Sequence, residues 1–231
     1  MSTASGLPDF RSQTGLWRQR PERLATLDAL RETPDEFYFF YQWRLLNPGL
    51  KAQPNPGHTI LAELEAENRL HMLITQNVDG LHHKAGSKNI AEIHGSLRTV
   101  SCLDCLKTYD SSQLLPEQLP ADSSGYKHGR ECLCPHCGGY LRPDVVLFGE
   151  QLPRKVWEEA AQAAKRAELM IVLGSSLQVG PANQLPYYTL DAGGKFIIIN
   201  NDATPLDGVA DVVINADIVQ SLQEIKQLLG A

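Results

Sequence analysis

Apolar positions along the chain follow two periods. From Thr33 to Leu46, Phe37, Phe40, Tyr41 and Arg44 fall at helical spacing, the 3.6-residue repeat of one helix side. Pro34 and Asp35 suit its first turn and Asn47-Pro48-Gly49 stops it. After the turn-rich Pro54-Asn55-Pro56-Gly57, a second helix is predicted over His58 to Arg69, with Ile60, Leu61, Ala62 and Leu64 on its apolar side. Leu70 to Thr75 reads as a short strand that runs into the polar turn Gln76 to Gly80. Further on, Leu169 to Leu173, Lys195 to Asn200 and Val212 to Asn215 are apolar runs of strand length, and Leu141 to Gly149 has strand character. Arg154 to Glu168 and Ile218 to Leu229 read as helices, and the first twenty residues as a loop. Strands alternating with helices predict βαβ units, hence an α/β fold with a parallel sheet.

Composition narrows the function classes. The net charge is −6 and no basic run is present, which argues against nucleic acid as the main partner, since phosphate binding needs clustered Lys and Arg. No stretch reaches the ~20 apolar residues of a membrane span. The N-terminus lacks the basic and apolar regions of a signal peptide. A cytoplasmic location is the expectation.

Cys102 to Cys137 is polar, rich in Ser and Gly, and reads as an insertion that cannot build its own core. Cys102-x-x-Cys105 and Cys134-x-x-Cys137 frame it. Two short thiolate pairs brought together give a closed tetrahedral sulfur site, the preference of structural zinc. A redox dithiol fits less well, because such a motif usually stands alone. Cys132 is the fifth cysteine; it could replace Cys134, though it makes a poorer clip with Cys137.

Two strand ends have the character of nucleotide sites. Gly174-Ser175-Ser176 follows a buried strand, where free N–H groups can approach phosphate. Asn200-Asn201-Asp202 ends the next, where a polar side chain can hold a ribose hydroxyl. Each alone reads equally as a turn, and no G-x-G-x-x-G is present.

Taken in order, Ser5-Gly6-Leu7-Pro8-Asp9-Phe10-Arg11, Thr75-Gln76-Asn77-Val78-Asp79-Gly80-Leu81-His82, Ile93-His94-Gly95-Ser96, the paired C-x-x-C, Arg142 through Glu150 (RPDVVLFGE) and Gly174-Ser175-Ser176-Leu177 resemble the sirtuin family of NAD-dependent protein deacylases. The resemblance implies a single catalytic domain over residues 1–231. It would have a Rossmann-like large lobe (about 1–31, 70–100 and 141–231), a helical module (about 32–69) and a zinc-ribbon module (about 101–140). It implies NAD and one structural zinc as cofactors, and acylated-lysine proteins as substrates. Carried over by position, Asp9, Phe10, Arg11 and Trp17 belong to the cofactor loop. Gln76, Asn77, Val78 and Asp79 line the ribose and nicotinamide pocket. Gly174, Ser175, Ser176, Asn200, Asn201, Asp202 and Ile218 hold the adenosine side. Val146, Phe148, Gly149 and Glu150 belong to a segment that pairs with substrate peptide as an added strand. His94 becomes the catalytic base, a role that suits a side chain with a near-neutral pKa.

The sequence departs from the family at its start. Met1-Ser2 falls on the last two positions of the family's Gly-Ala-Gly-x-Ser loop, so that loop's glycines and the strand before it are missing. A misassigned start at an internal methionine is the expected explanation, and a shortened form with impaired NAD binding is the alternative. Tyr41-Gln42-Trp43-Arg44 matches the Tyr-x-x-Arg pattern of sirtuins that remove succinyl and malonyl groups, and a phenol plus a guanidinium suits a distal carboxylate. The alternative is a core helix with Arg44 solvated. Two other functions stay open: mono-ADP-ribosyl transfer to protein, and a zinc-ribbon binding module without catalysis.

Overall fold

A computed structural model of the chain describes residues 1–10, 15–47 and 51–230. In chain order the elements are α1 (Leu16–Gln19), α2 (Leu27–Glu32), α3 (Pro34–Leu46), α4 (Pro56–Ala66), β1 (Leu73–Thr75), α5 (Leu81–Lys84), β2 (Ile90–Glu92), β3 (Gly95–Cys102), β4 (Thr108–Asp110), β5 (Leu141–Val145), α6 (Arg154–Arg166), β6 (Leu169–Leu173), α7 (Leu185–Asp191), β7 (Lys195–Ile199), β8 (Val212–Ile214) and α8 (Ile218–Gly230). The helices and strands expected from periodicity are present with bounds moved by a few residues. The first twenty residues are more than a loop, because α1 and a 3-10 turn at Ser2–Ser5 lie within them.

Two parallel sheets form, β1–β2 and β6–β7–β8. Their strands alternate between the same two helical layers. Leu73, Ile90 and Leu173 pack with Ile60, Leu61 and Leu64 of α4 and Leu222 of α8. Ile74, Ala91 and Met170 pack with Ala160 and Ala164 of α6 and Leu185 of α7. This period-2 alternation gives the Rossmann-like layering, helices on either side of parallel strands, although β6 is not the buried strand its sequence suggests: Leu169 and Ile171 are exposed. The alanines of α6 stand four apart, so the helix lies close against the sheet.

A third sheet, β4–β3–β5, is antiparallel and carries the cysteine region. Helix α3 is packed between it and the N-terminal segments. Pro34 opens the helix, and Asp35 and Glu36 in its first turn suit the helix dipole. Phe37, Tyr38, Phe39, Phe40 and Tyr41 are all buried, so the helix is enclosed on nearly every side. In α4, Asn55 and His58 cap the N-terminus reciprocally.

Candidate active site and zinc centre

The site begins where β1 ends. Gly80 has φ +72, and a Cβ there would run into the stem of Arg98, so the turn requires glycine. Asp79 Oδ1 accepts the Leu81 N–H (2.9 Å) and starts α5, while Oδ2 accepts the Ser2 hydroxyl (2.7 Å). Asn77 Nδ2 donates to the same hydroxyl (2.9 Å), so Ser2 links the two. Gln76 Nε2 reaches Ser175 Oγ at 3.4 Å, joining the β1 turn to the turn after β6. Val78 is buried, and its carbonyl accepts the Leu97 N–H.

His94 stands between β2 and β3. Its carbonyl accepts the Val146 N–H (2.9 Å) and its Nδ1 lies 3.3 Å from the Gln76 carbonyl. Gly95 follows with φ +73; a Cβ at that position would overlap the Asp144 carbonyl. The glycine therefore lets β5 approach and fixes the His94 backbone. The structure thus brings Gln76, Asn77, Asp79 and His94 together with Ser175.

On the other strand ends, Gly174 has φ +60 and faces Ile218, the first residue of α8. Ser175 Oγ accepts the Leu177 N–H (3.2 Å). Asn200 Nδ2 donates to Asp202 O (2.6 Å), shaping its own turn, while Asn201 and Asp202 are exposed. In the cofactor loop, Arg11 lies outside the described residues. Phe10 packs on Trp17 (5.2 Å between centroids), and Trp17 in turn faces Phe40 and Phe148. The buried Trp17 Nε1 has no protein partner among the described residues; such an orphan donor is what a bound ligand or a water would satisfy. Together these glycines, amides and hydroxyls are a donor set that fits a dinucleotide.

Tyr41 is buried, and the partly buried Arg44 lies against it. The guanidinium carbon stands 5.6 to 5.8 Å from the ring centres of Phe10, Phe40 and Tyr41, within cation–π range. Burial pushes the Tyr41 phenol up to about 12, with Arg44 pulling the other way, and burial lowers the Arg44 pKa. Asp79 acts on Arg44 through space, and among the described residues no carboxylate forms an ion pair with it. Arg44 therefore lies between solvent and the aromatic core.

The segment after β5 is not a strand. Phe148 N–H donates to Ala25 O and Phe148 O accepts from Leu27. The Val146 N–H goes to His94, and the Leu147 N–H to the Glu150 carboxylate. A pairing peptide must use other backbone groups, Gly149 among their neighbours. Glu150 points inward: burial works against its charge, but two hydrogen bonds from Arg142 (2.6 and 3.0 Å) hold its carboxyl below the usual range. Arg142 is the clamp of this loop and was not singled out from sequence; its place in Arg-Pro-Asp, eight residues before Glu150, was the available signal.

The sulfur atoms of Cys102, Cys105, Cys134 and Cys137 all lie within 4.8 Å of one another. Cys102–Cys137 and Cys105–Cys134 are 3.5 and 3.7 Å apart. A tetrahedron with ~2.3 Å zinc–sulfur bonds has edges of about 3.8 Å, so the four thiols fit structural zinc and leave no open position for chemistry. Cys132 is elsewhere. It is fully buried beside Gln42 Nε2 (3.8 Å), and burial pushes its thiol up to about 12. Cys134 is therefore the fourth member of the cluster.

Comparison with known proteins agrees with this geometry. The sequence pattern of the Sir2 family matches residues 1–181. A Geobacillus kaustophilus (strain HTA426) protein named NAD-dependent protein deacetylase 1 is 49% identical over 233 residues, covering 100% of this chain and 90% of its own. An NAD-dependent protein deacylase of Thermococcus kodakarensis is 42% identical over 229 residues, covering 97% and 86%. Among solved structures, a Sir2 complex with a p53 peptide and NAD+ superposes with a TM-score of 0.83 at 38% identity, covering 99% of this chain and 89% of that one. Sir2 bound to acetylated peptide gives 0.84 at 36% identity with the same coverage.

Proposed function

The chain belongs to the Sir2 family, and on that premise we propose that it is an NAD-dependent protein-lysine deacylase that yields nicotinamide, O-acyl-ADP-ribose and free lysine. The observation that carries the reading is the contact of His94 Nδ1 with the Gln76 carbonyl at 3.3 Å, beside Asn77 and Asp79. A carbonyl only accepts, so in neutral His94 the proton is assigned to Nδ1 and the lone pair to Nε2. That tautomer makes Nε2 a proton acceptor for a sugar hydroxyl. NAD, when bound, supplies an electrophilic ribose carbon from which nicotinamide can leave. Asn77 and Asp79 offer an amide and a carboxylate to orient the groups around that carbon. Gly174, Ser175, Ser176 and Asn200 would hold the adenosine side, and Phe10 with Trp17 would cover the site. Cys102, Cys105, Cys134 and Cys137 would hold zinc, which supplies fold stability to a module with little core of its own.

The acyl group read here is an acidic one. Arg44 is a partly buried cation without an anionic partner among the described residues, and Tyr41 adds a hydroxyl beside it. A succinyl or malonyl carboxylate supplies the missing anion. Five free thiols, four of them gathered for a metal, suit the reducing cytoplasm. No helix among the described residues is long and apolar enough to cross a membrane.

The test is nicotinamide release from NAD with and without an acyl-lysine peptide, with products identified by mass spectrometry. Release that requires the acyl group and forms O-acyl-ADP-ribose is expected. Transfer of ADP-ribose onto the peptide would replace the proposal with mono-ADP-ribosyl transfer.

A further inference from the structure

Helix α3 presents two sets of side chains on different faces. Asp35, Tyr38 and Gln42 recur at i, i+3 and i+7 and all meet the zinc module. Phe37, Tyr41 and Arg44 recur at i, i+4 and i+7, roughly 120° round the helix, on the side of Phe10. On the first face, the Asp35 carboxylate accepts from Lys127 Nζ (2.9 Å) and from the His128 N–H (3.1 Å). The Tyr38 hydroxyl donates to Leu141 O (2.8 Å), and its ring stacks on His128. Gln42 donates to Leu114 O (2.6 Å) and accepts from the Tyr126 hydroxyl. Its exposure is 0%.

A buried amide with donor and acceptor both used fixes position sharply, because any slide leaves a desolvated group unpaired. Asp35 and Lys127 lie at a wetter end of the same face, where an ion pair contributes little. Gln42 and Tyr38 are the dry points of attachment, and of the two Gln42 is the chain neighbour of Tyr41. His94 hangs on β3 and the β1 turn instead, so it does not depend on this attachment.

We infer that Gln42 is a positioning residue for acyl-lysine recognition: its bonds to Leu114 and Tyr126 tie α3 to the zinc module and set where Tyr41 and Arg44 stand. The inference rests on the reading of Tyr41 and Arg44 as the acyl-binding pair. It places the cost of losing Gln42 on substrate recognition, with proton transfer and NAD binding spared.

Gln42→Met keeps length and removes the bonds to Leu114 and Tyr126 together with the longer contact to Cys132; Tyr126→Phe removes one. Steady-state kinetics on acetyl- and succinyl-lysine peptides at saturating NAD, NAD affinity by calorimetry and zinc content by metal analysis are measured on each. In Gln42→Met, full zinc content, NAD affinity and kcat within about twofold, and a roughly tenfold rise in KM for the succinyl peptide with the acetyl KM within about twofold are expected. Tyr126→Phe should raise KM about threefold, and the double variant should be no worse than Gln42→Met, because the two act as one unit. Arg44→Met, measured in parallel, should affect the succinyl peptide alone. Equal losses there would sink the acidic-acyl reading; a Gln42→Met rise in KM that then falls on both peptides still supports positioning. Unchanged peptide KM in Gln42→Met overturns the inference. So does a joint fall of zinc content, NAD affinity and kcat, the signature of a residue that only holds the fold.

Discussion

Arg44→Met is the sharpest test of substrate class. The guanidinium is partly buried, flanked by Phe10, Phe40 and Tyr41, and has no ion-pair partner among the described residues. Methionine keeps the apolar stem against those rings and removes only the charge and the donors. A charge-assisted hydrogen bond contributes about 2–3 kcal/mol when its surroundings are dry. At 1.36 kcal/mol per factor of ten, that is about 30- to 150-fold in kcat/KM for a succinyl-lysine peptide. An acetyl group has no distal carboxylate and loses none of this. Deacetylation should stay within about threefold, and relief of a poorly solvated cation works toward the upper side of that range. The assay is kcat/KM for paired peptides identical except for the acyl group, read as the ratio of the two. A ratio unchanged from wild type, whether both rates fall or neither does, refutes the assignment of Arg44 to an acyl carboxylate.

His94→Ala should keep NAD affinity and lose on the order of 10²–10⁴ in acyl-lysine turnover; near-wild-type turnover by product chromatography removes His94 as base. Cys134→Ser should lose zinc and several kcal/mol of stability, whereas Cys132→Ser should keep full zinc and cost about 1–3 kcal/mol for a buried hydroxyl. Metal analysis showing the reverse would exchange the two cysteines. His82 is buried against His58, and burial first, then His58, lowers its pKa to about 4. The unfolded chain, with His near 6.5, takes up the proton sooner, so stability present above about pH 6.5 is lost as pH falls toward 4, by about 2 kcal/mol at pH 5. Denaturant unfolding at pH 7.5 and pH 5 should show this loss, and His82→Leu should reduce it; an equal loss in both proteins refutes the titration.

The parts of the fold that sequence displayed are those with one repeating period and firm stops. The strands at Leu169–Leu173 and Lys195–Ile199 are continuous apolar runs bounded by Gly174 and Asn200. The metal cluster was legible because thiolate spacing is itself the geometry of the site. Elements that owe their form to partners were not visible. Helix α7 contains Leu-Pro-Tyr-Tyr-Thr-Leu-Asp and shows no apolar side in sequence, yet Leu185 and Thr189 are buried against α6 and β7. The chain after β5 has strand composition, but the Arg142–Glu150 ion pair and the bonds of Phe148 to Ala25 and Leu27 curl it. That side-chain clamp outweighs local β preference.

The functional side chains divide along the same line. Asp79 and His94 stand next to glycines, Gly80 required by its positive φ and Gly95 by the close approach of the Asp144 carbonyl, so motif and geometry coincide. Gln42 and Arg142 sit inside unbroken apolar or strand-like text, and nothing in their spacing distinguishes a buried brace from a surface polar residue. For α3 the reason is physical. A helix enclosed on nearly every side has no polar stripe to orient it, so a residue's face must be read from its partners. Once those are known, the single helix resolves into a zinc-module face through Asp35, Tyr38 and Gln42 and the proposed acyl face through Tyr41 and Arg44. On the proposed reading, acyl specificity would depend on the zinc module through Gln42.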